Sequence, residues 1–379
     1  MEGLTFEDIS VVSVKEVGHF AGPASCIKDL TVRNVSVASA GSGWRGCGKV
    51  DLSSFVSSGV SPPLTCKGSA SLKSDDGEPR TAASPAASSF VRGVNYVPSY
   101  ARNDVQIWHD FDEAVVDREL GFARDLFNFS CVRVFLSVAV WRHDGAAFMS
   151  RWETFLQLVA KHEMTALVVA FDRDFPQCTC EWKGRPCAGE GKGNCVTPDD
   201  EFISSGRYRN SSWCPSPGPN ITQQDPAGYV SNRLDEYIAS VFGGKYADDQ
   251  RIHAVEVINE PDEANLAPFI DWAATTLSKH TKRPLALELT YPGGRGAKVA
   301  QRLTKYHSYH NYAANLYSAL SAAKATAKTL GKLGVMTTEY GRRDTQPYCE
   351  PFAQTVAAQV DSFAWEVRFN PILIRFNPT

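Results

Sequence analysis

The chain of 379 residues contains no run near the roughly 18 consecutive apolar residues that a bilayer-spanning helix needs. Its first ten residues, MEGLTFEDIS, lack the basic-then-apolar pattern of a secretory signal. Charge of one sign is not in excess either: 39 Lys and Arg face 42 Asp and Glu, a formal net charge of -3. Without a global basic field there is no long-range attraction for nucleic acid or anionic lipid, so a neutral or weakly charged partner fits better. These absences lead us to expect neither a membrane nor a nucleic-acid partner. What is present, 43% hydrophobic, 21% charged and 11% aromatic residues, is the composition of a globular protein with a sizeable core and excludes a disordered chain. At about 150 residues per domain the length admits two or three domains, although an α/β barrel takes up about 250 residues as one unit.

Five of the ten cysteines, Cys178, Cys180, Cys187, Cys195 and Cys214, crowd into one polar, Gly/Pro-rich segment. Their spacing lacks the paired C-x2-C of zinc sites, so no metal is expected and the segment reads as a loop stapled by disulfides. Sequons at Asn34, Asn128, Asn210 and Asn220 are compatible with a secretory route. The expectation is an extracellular glycoprotein whose own N-terminus lies upstream of Met1.

Composition divides the chain in three. Residues 68–89, GSASLKSDDGEPRTAASPAASS within them, are small, polar and Pro-bearing and read as a linker. Residues 1–67 hold short β-branched runs, 9–14 and 30–37, with alternating apolar positions; so few strands cannot hide their faces alone and imply a piece of a larger β structure. FEDISVVSVKEVGHF, SCIKDLTVRNVSVASA, WRGCGKVDLSSF and VSPPLTC, over about residues 6–66, resemble the last coils and tail of a plant-type polygalacturonase, a parallel β-helix pectinase. The catalytic aspartates, Gly-His-Gly and Arg-x-Lys of that family lie upstream of such a tail and have no counterpart here. No pectinase activity is therefore expected of this segment.

From residue 90 to 379 apolar runs alternate with amphipathic stretches. The runs are 90–96, 131–136, 166–171, 252–258, 285–289, 306–310, 334–338 and 362–365. Helical spacing places Val116, Leu120, Ala123 and Phe127 on one face, then Phe148, Trp152, Phe155 and Val159, then Val230, Leu234, Ile238 and Val241. Further helices are expected over 266–280, 297–303, 315–330 and 352–360. Such alternation implies a parallel sheet, and eight repeats over about 290 residues imply a closed (β/α)8 TIM barrel. The doubly wound alternative wants a Gly-rich phosphate turn after its first strand, which Gly93-Val94-Asn95-Tyr96 does not supply. An insertion of roughly fifty residues after the third strand carries the cysteine cluster and is expected to be ordered and functional. The chain's last residues, 368–379, show no amphipathic eighth helix, which predicts an uncovered closing seam.

In such barrels the active site gathers at the C-terminal ends of the strands. The fourth strand ends Asn259-Glu260-Pro261 and the seventh ends Thr338-Glu339-Tyr340-Gly341. Two carboxylates at apolar strand exits, partly desolvated and facing each other, suit glycoside hydrolysis.

These two motifs resemble the acid/base and nucleophile motifs of glycoside hydrolase clan A, family 5 and its relatives. RGVNYVPSYA, VDREL, RVFL, a His-x-Tyr near strand six and Trp365 extend the resemblance over about residues 91–367, and Trp213-Cys214-Pro215-Ser216-Pro217-Gly218 adds a Trp-x-x-Ser-Pro-Gly loop. The resemblance implies Glu339 as nucleophile, Glu260 as acid/base and retention of configuration. It also implies that Asn259 binds the sugar 2-hydroxyl, that Arg133 keeps Glu339 ionised, that Tyr312 or Tyr340 orients it, and that Trp365 floors the cleaved subsite. Two His-x-Tyr frames overlap, and His310/Tyr312 fits the clan's form better than His307/Tyr309. Each residue has a plainer alternative: Glu260 and Glu339 as surface carboxylates, Arg133 as a barrel plug, Trp213 as a loop anchor. Glu256, Glu288 and Glu366 are taken as barrel-lining or salt-bridged groups. The expectation is a monomeric retaining hydrolase of neutral β-mannan or β-glucan type polysaccharide or oligosaccharide, without a cofactor. Its rival is a degenerate barrel that binds carbohydrate and does not turn over.

Overall fold

The structure is a computed structural model. It describes the backbone of five strands between residues 5 and 58, and residues 90–364 apart from 126, 173–180, 183–184, 187–199, 212, 215, 262, 289–297, 313–315, 341–353 and 356. The first five strands are β1 (Thr5–Glu7), β2 (Ser10–His19), β3 (Thr31–Arg33), β4 (Ser36–Arg45) and β5 (Val56–Ser58). They pair in parallel as β1-β3-β5 and as β2-β4. The same offset of 26 residues joins Thr5 to Thr31 and Ser10 to Ser36. β3 pairs with β5 at an offset of 25 residues, Thr31 to Val56.

Eight strands then close a parallel barrel: β6 (Arg92–Asn95), β7 (Cys131–Phe135), β8 (Thr165–Val169) and, after a short antiparallel pair β9 (Glu181–Trp182) and β10 (Arg185–Pro186), β11 (Ile252–Glu256), β12 (Leu285–Glu288), β13 (Tyr306–Asn311), β14 (Gly334–Tyr340) and β15 (Asp361–Ala364). β15 pairs back onto β6. Helices α1 (Asp104–His109) and α2 (Glu113–Asp125) follow β6, and α3 (Val138–His143) and α4 (Gly145–Lys161) follow β7. Between β8 and β11 lie α5 (Asp200–Ser204), α6 (Pro219–Thr222), α7 (Pro226–Ser231) and α8 (Leu234–Phe242). α9 (Glu263–His280), α10 (Lys298–Leu303) and α11 (Leu316–Thr329) follow β11, β12 and β13. This is the (β/α)8 barrel that the alternation predicts.

The strands form because their β-branched and aromatic runs are covered on both faces; every residue of β7, CVRVF, is buried. α4 starts where the Asp144 carboxylate accepts the Ala147 N–H at 3.0 Å. It buries Phe148, Trp152, Phe155 and Val159, the expected stripe, each contributing about 1.5–3 kcal/mol of transfer free energy. The third stripe is interrupted. Arg233 adopts a left-handed conformation, φ 62°, and divides α7 from α8, so Val230 is exposed while Leu234, Ile238 and Val241 are buried. Phe127 likewise falls beyond the end of α2, yet still packs against the core.

Inside the barrel Cys131, Leu167, Ala254, Ala286, Met336 and Phe363 make an apolar floor. Gly93 completes it, because a Cβ there would sit 2.4 Å from the Phe363 ring and 2.9 Å from the Cys131 carbonyl oxygen. Strand side chains alternate with a period of two, so the residues two steps on from floor positions also point inward. Besides Val169 these are Asn95, Arg133, Glu256, Glu288 and Thr338, and with Ser308 the polar ones form a layer towards the strands' C-terminal ends. At the opposite end a cavity of about 630 Å³ opens beside β14 and β15, lined by Phe90, Tyr306, Lys328, Leu333 and Val360 among others. The stretch expected to lack the eighth helix, 368–379, lies outside the described residues.

Candidate active site

Arg133 is the hub of the polar layer. Its Nε donates to Glu256 at 2.7 Å, Nη1 to Asn95 Oδ1 at 2.7 Å and to Glu339 Oε1 at 2.8 Å, and Nη2 to Asn259 Oδ1 at 2.6 Å. Its guanidinium carbon also lies 4.7 Å from the centre of the Phe135 ring. Burial works against the charge of this fully buried side chain, but Glu256 and Glu339 more than offset it. Each acceptor is itself held. Asn95 Nδ2 donates to the carbonyls of Thr338 and Ala364 at 2.8 and 3.2 Å, which turns its oxygen towards Arg133. Ser308 Oγ donates to Glu256 at 2.5 Å and lies 2.6 Å from Thr338 Oγ1.

Period-two alternation alone would point Glu339 away from Thr338 and out of the barrel. The register shows how both face inward: Tyr309 pairs with Thr337 and His310 with Glu339, so Thr338 is an extra residue in β14. A bulge of this kind re-aims the next side chain. Glu260 is brought in by a different device, a left-handed backbone with φ 42° just before Pro261. For a residue with a Cβ this conformation costs about 1–3 kcal/mol.

Glu260, His310 and Glu339 thereby converge, one donor atom from each lying within 4.8 Å of the others. His310 Nδ1 is 2.9 Å from Glu260 Oε1, 3.5 Å from Glu339 Oε2 and 3.9 Å from Glu288 Oε2. Burial opposes a charge on this imidazole, but Glu339, the hydrogen bond to Glu260 and Glu288 outweigh it and raise its pKa to about 9. Glu288 is pushed up to about 7 by burial, with His310 opposing and the carboxylates of Glu260, Glu256 and Glu339 adding to the rise. Glu339 is also held above the ordinary carboxyl range by burial, against the pull of His310 and Arg133. The cation expected to keep Glu339 ionised is thus in place, but burial outweighs it. The Arg133 guanidinium 2.8 Å from Glu339, and an imidazole whose proton both carboxylates favour, place positive charge beside the two glutamates.

Tyr312 donates its hydroxyl to Glu339 Oε2. Tyr340 is buried in the apolar cluster with Leu316, Leu320 and Val335. Of the two His-x-Tyr frames, His310/Tyr312 reaches the glutamates, whereas His307 lies lower in the barrel with its ring 5.9 Å from Tyr309. Trp365 lies outside the described residues. Trp213 stands at the site's edge, its ring edge-on to Phe135 at 4.9 Å and its Nε1 donating to Asp172 Oδ2. Asp172 Oδ1 accepts from Asn259 Nδ2 at 3.0 Å. Asp172 and Asn95 were not singled out from the sequence as site residues, and Glu288, expected only to line the barrel, stands beside His310.

No disulfide links described residues; Cys131 is a buried free thiol, Cys214 is buried, and Cys178, Cys180, Cys187, Cys195 and Cys349 lie outside the described residues. Hydrogen bonds tie the end of the insertion to the barrel. The Asp172 N–H donates to the Ser216 carbonyl at 2.7 Å, the Val138 N–H to Ser216 Oγ at 2.9 Å, and Asn103 Nδ2 to the Tyr208 carbonyl at 2.8 Å.

No protein-family model matches the chain, and no curated protein matches it. Solved structures do. An endo-beta-1,4-mannanase from Thermotoga petrophila is similar at 12% identity and a TM-score of 0.47, over 73% of this chain and 67% of that one. A glycoside hydrolase family 5 mannosidase from Rhizomucor miehei is similar at 13% identity and a TM-score of 0.48, over 73% and 80%. The catalytic domain of a Thermobifida fusca endoglucanase is similar at 12% identity and a TM-score of 0.43, over 72% and 79%. Such distant likenesses say nothing of this chain's activity, which has to be read from its own side chains.

Proposed function

We propose that the protein is a retaining glycoside hydrolase of neutral β-linked polysaccharides or oligosaccharides, of the mannan or glucan type. The observation that carries this is the approach of Glu260 and Glu339, with carboxylate oxygens within 4.8 Å of each other. Retaining enzymes hold their carboxyl groups about 5–5.5 Å apart, whereas inverting enzymes need about 6.5–9.5 Å to admit a water.

Glu339 attacks the anomeric carbon and the glycosidic C–O bond breaks, while Glu260 gives its proton to the leaving oxygen. Water then loses a proton to Glu260 and attacks the same carbon, releasing Glu339 and restoring both groups. Arg133 and Tyr312 clamp the two oxygens of Glu339, which fixes its direction of attack. The Asn259 amide is oriented on both sides, Oδ1 by Arg133 and one Nδ2 hydrogen by Asp172; its second hydrogen is the donor for the sugar 2-hydroxyl. Three carboxyl groups at the barrel mouth, Glu260, Glu288 and Glu339, disfavour uronate and favour an uncharged sugar.

The test is hydrolysis of mannan, β-glucan and aryl β-glycosides by the wild type and by Glu339→Gln and Glu260→Gln. Glu339→Gln should abolish turnover. Glu260→Gln should lose about 10²–10⁴-fold on polysaccharide and less on aryl glycosides, whose leaving groups need no proton. A folded wild-type protein that binds these glycans and cleaves none would overturn the proposal in favour of a binding barrel.

A further inference from the structure

His310 poses a difficulty for the acid/base role of Glu260. A general acid needs a pKa near the working pH, yet an imidazolium donating to a carboxylate at 2.9 Å favours the ionised form and strips it of its proton. Glu288 approaches the same imidazole nitrogen from β12. It leaves β12 two residues after the floor position Ala286, points into the barrel, and lies 3.9 Å from His310 Nδ1, beyond hydrogen-bond reach. Among the described residues His310 is its only ion-pair partner. A largely desolvated carboxyl without an Arg or Lys costs stability, and an apolar side chain would line the barrel better.

We propose that Glu288 is a positioning residue for the acid/base glutamate: its carboxyl counterbalances the His310 imidazolium, so that Glu260 holds its proton where the enzyme works. This rests on the glycosidase reading above. The charged groups acting on His310 are Arg133 on β7, Glu260 at the exit of β11, Glu288 on β12 and Glu339 on β14; Glu256 on β11 and Tyr312 beyond β13 act on their neighbours Glu288 and Glu339. Of the glutamates, Glu256 and Glu339 are already bonded to Arg133, and Glu260 is the group being tuned. Glu288 is therefore the one left to set the balance. Ionisation of Glu288 with rising pH raises the proton affinity of both His310 and Glu260; removing its charge lowers both.

The experiment is an NMR titration of the imidazoles in the full-length protein, wild type against Glu288→Gln and Glu288→Asp, with the pH profile of kcat/KM on an aryl β-glycoside beside it. The His310 midpoint should fall by about one pH unit in Glu288→Gln and stay near the wild-type value in Glu288→Asp. The basic limb of kcat/KM, where the general acid loses its proton, should fall in step. In the wild type the His310 resonance should also show a second inflection near pH 7 as Glu288 ionises. An unmoved His310 midpoint in folded Glu288→Gln, or a basic limb that stays put while the midpoint moves, overturns the proposal. If Glu288→Gln does not fold, a single inflection in the wild type overturns it. The imidazole titration is read without turnover, so an inactive wild type would refute the glycosidase reading and still decide the Glu288–His310 coupling.

Discussion

Replacing Arg133 with Met tests the whole polar layer. The substitution keeps the volume and removes four hydrogen bonds, to Glu256, Asn95, Glu339 and Asn259, leaving two buried carboxylates without their cation. Breaking a buried pair from one side costs about 3–5 kcal/mol. At about 2 °C per kcal/mol for a domain of this size, the midpoint of thermal unfolding should fall by about 6–10 °C. The loss should also depend on pH. Burial already holds the Glu339 pKa above the ordinary 4.5, and without Arg133 it rises further, so the folded state binds this proton more tightly than the unfolded state does. Stability then falls as pH rises from the unfolded value through the folded one, and levels off above it. The deficit against wild type is accordingly smaller at pH 5 than at pH 8. Urea unfolding at the two pH values measures it. A deficit below about 1 kcal/mol, or one equal at both pH values, refutes the reasoning. Arg133→Lys should rescue little, because an ammonium cannot serve four acceptors spread around a planar guanidinium.

Tyr312→Phe removes the hydroxyl from Glu339 Oε2. A hydrogen bond to a charged group is worth about 1.5–3 kcal/mol, so kcat/KM should fall about 10- to 150-fold, and the acidic limb of its pH profile should move up because that bond favours ionised Glu339. An unchanged limb would mean that the contact does not act on the carboxylate. Gly93→Ala drives a methyl into Phe363 and the Cys131 carbonyl, and should cost about 1–3 kcal/mol in urea unfolding while leaving activity at low temperature within about twofold. A midpoint equal to wild type would show that the floor yields.

The barrel was legible because each strand is a short β-branched or aromatic run and the helices of α2 and α4 carry apolar residues at spacings of three and four. These signals are local, set by whether one face can be buried. Where the backbone leaves its regular course they mislead. Val230 continues the helical spacing of Leu234 and Ile238, but the left-handed Arg233 between them turns it out to solvent. Glu339 was identified from its motif, yet its inward direction depends on the extra residue Thr338 in β14, which a period of two does not reveal. Glu288 carried a readable signal in its register with Ala286, but its significance required knowing that His310 lies across from it.

Taken by itself, the amino-acid sequence determined the kind of fold and the two glutamates at strand exits, since both follow from patterns within a few residues. Only the tertiary structure decided which groups meet: that Arg133 binds Asn95, Glu256, Asn259 and Glu339 together, that Tyr312 reaches the carboxylate of Glu339, and that a third carboxyl faces His310. These residues lie on strands far apart in the chain and become neighbours only when the barrel closes, and their pKa values follow from that burial and proximity.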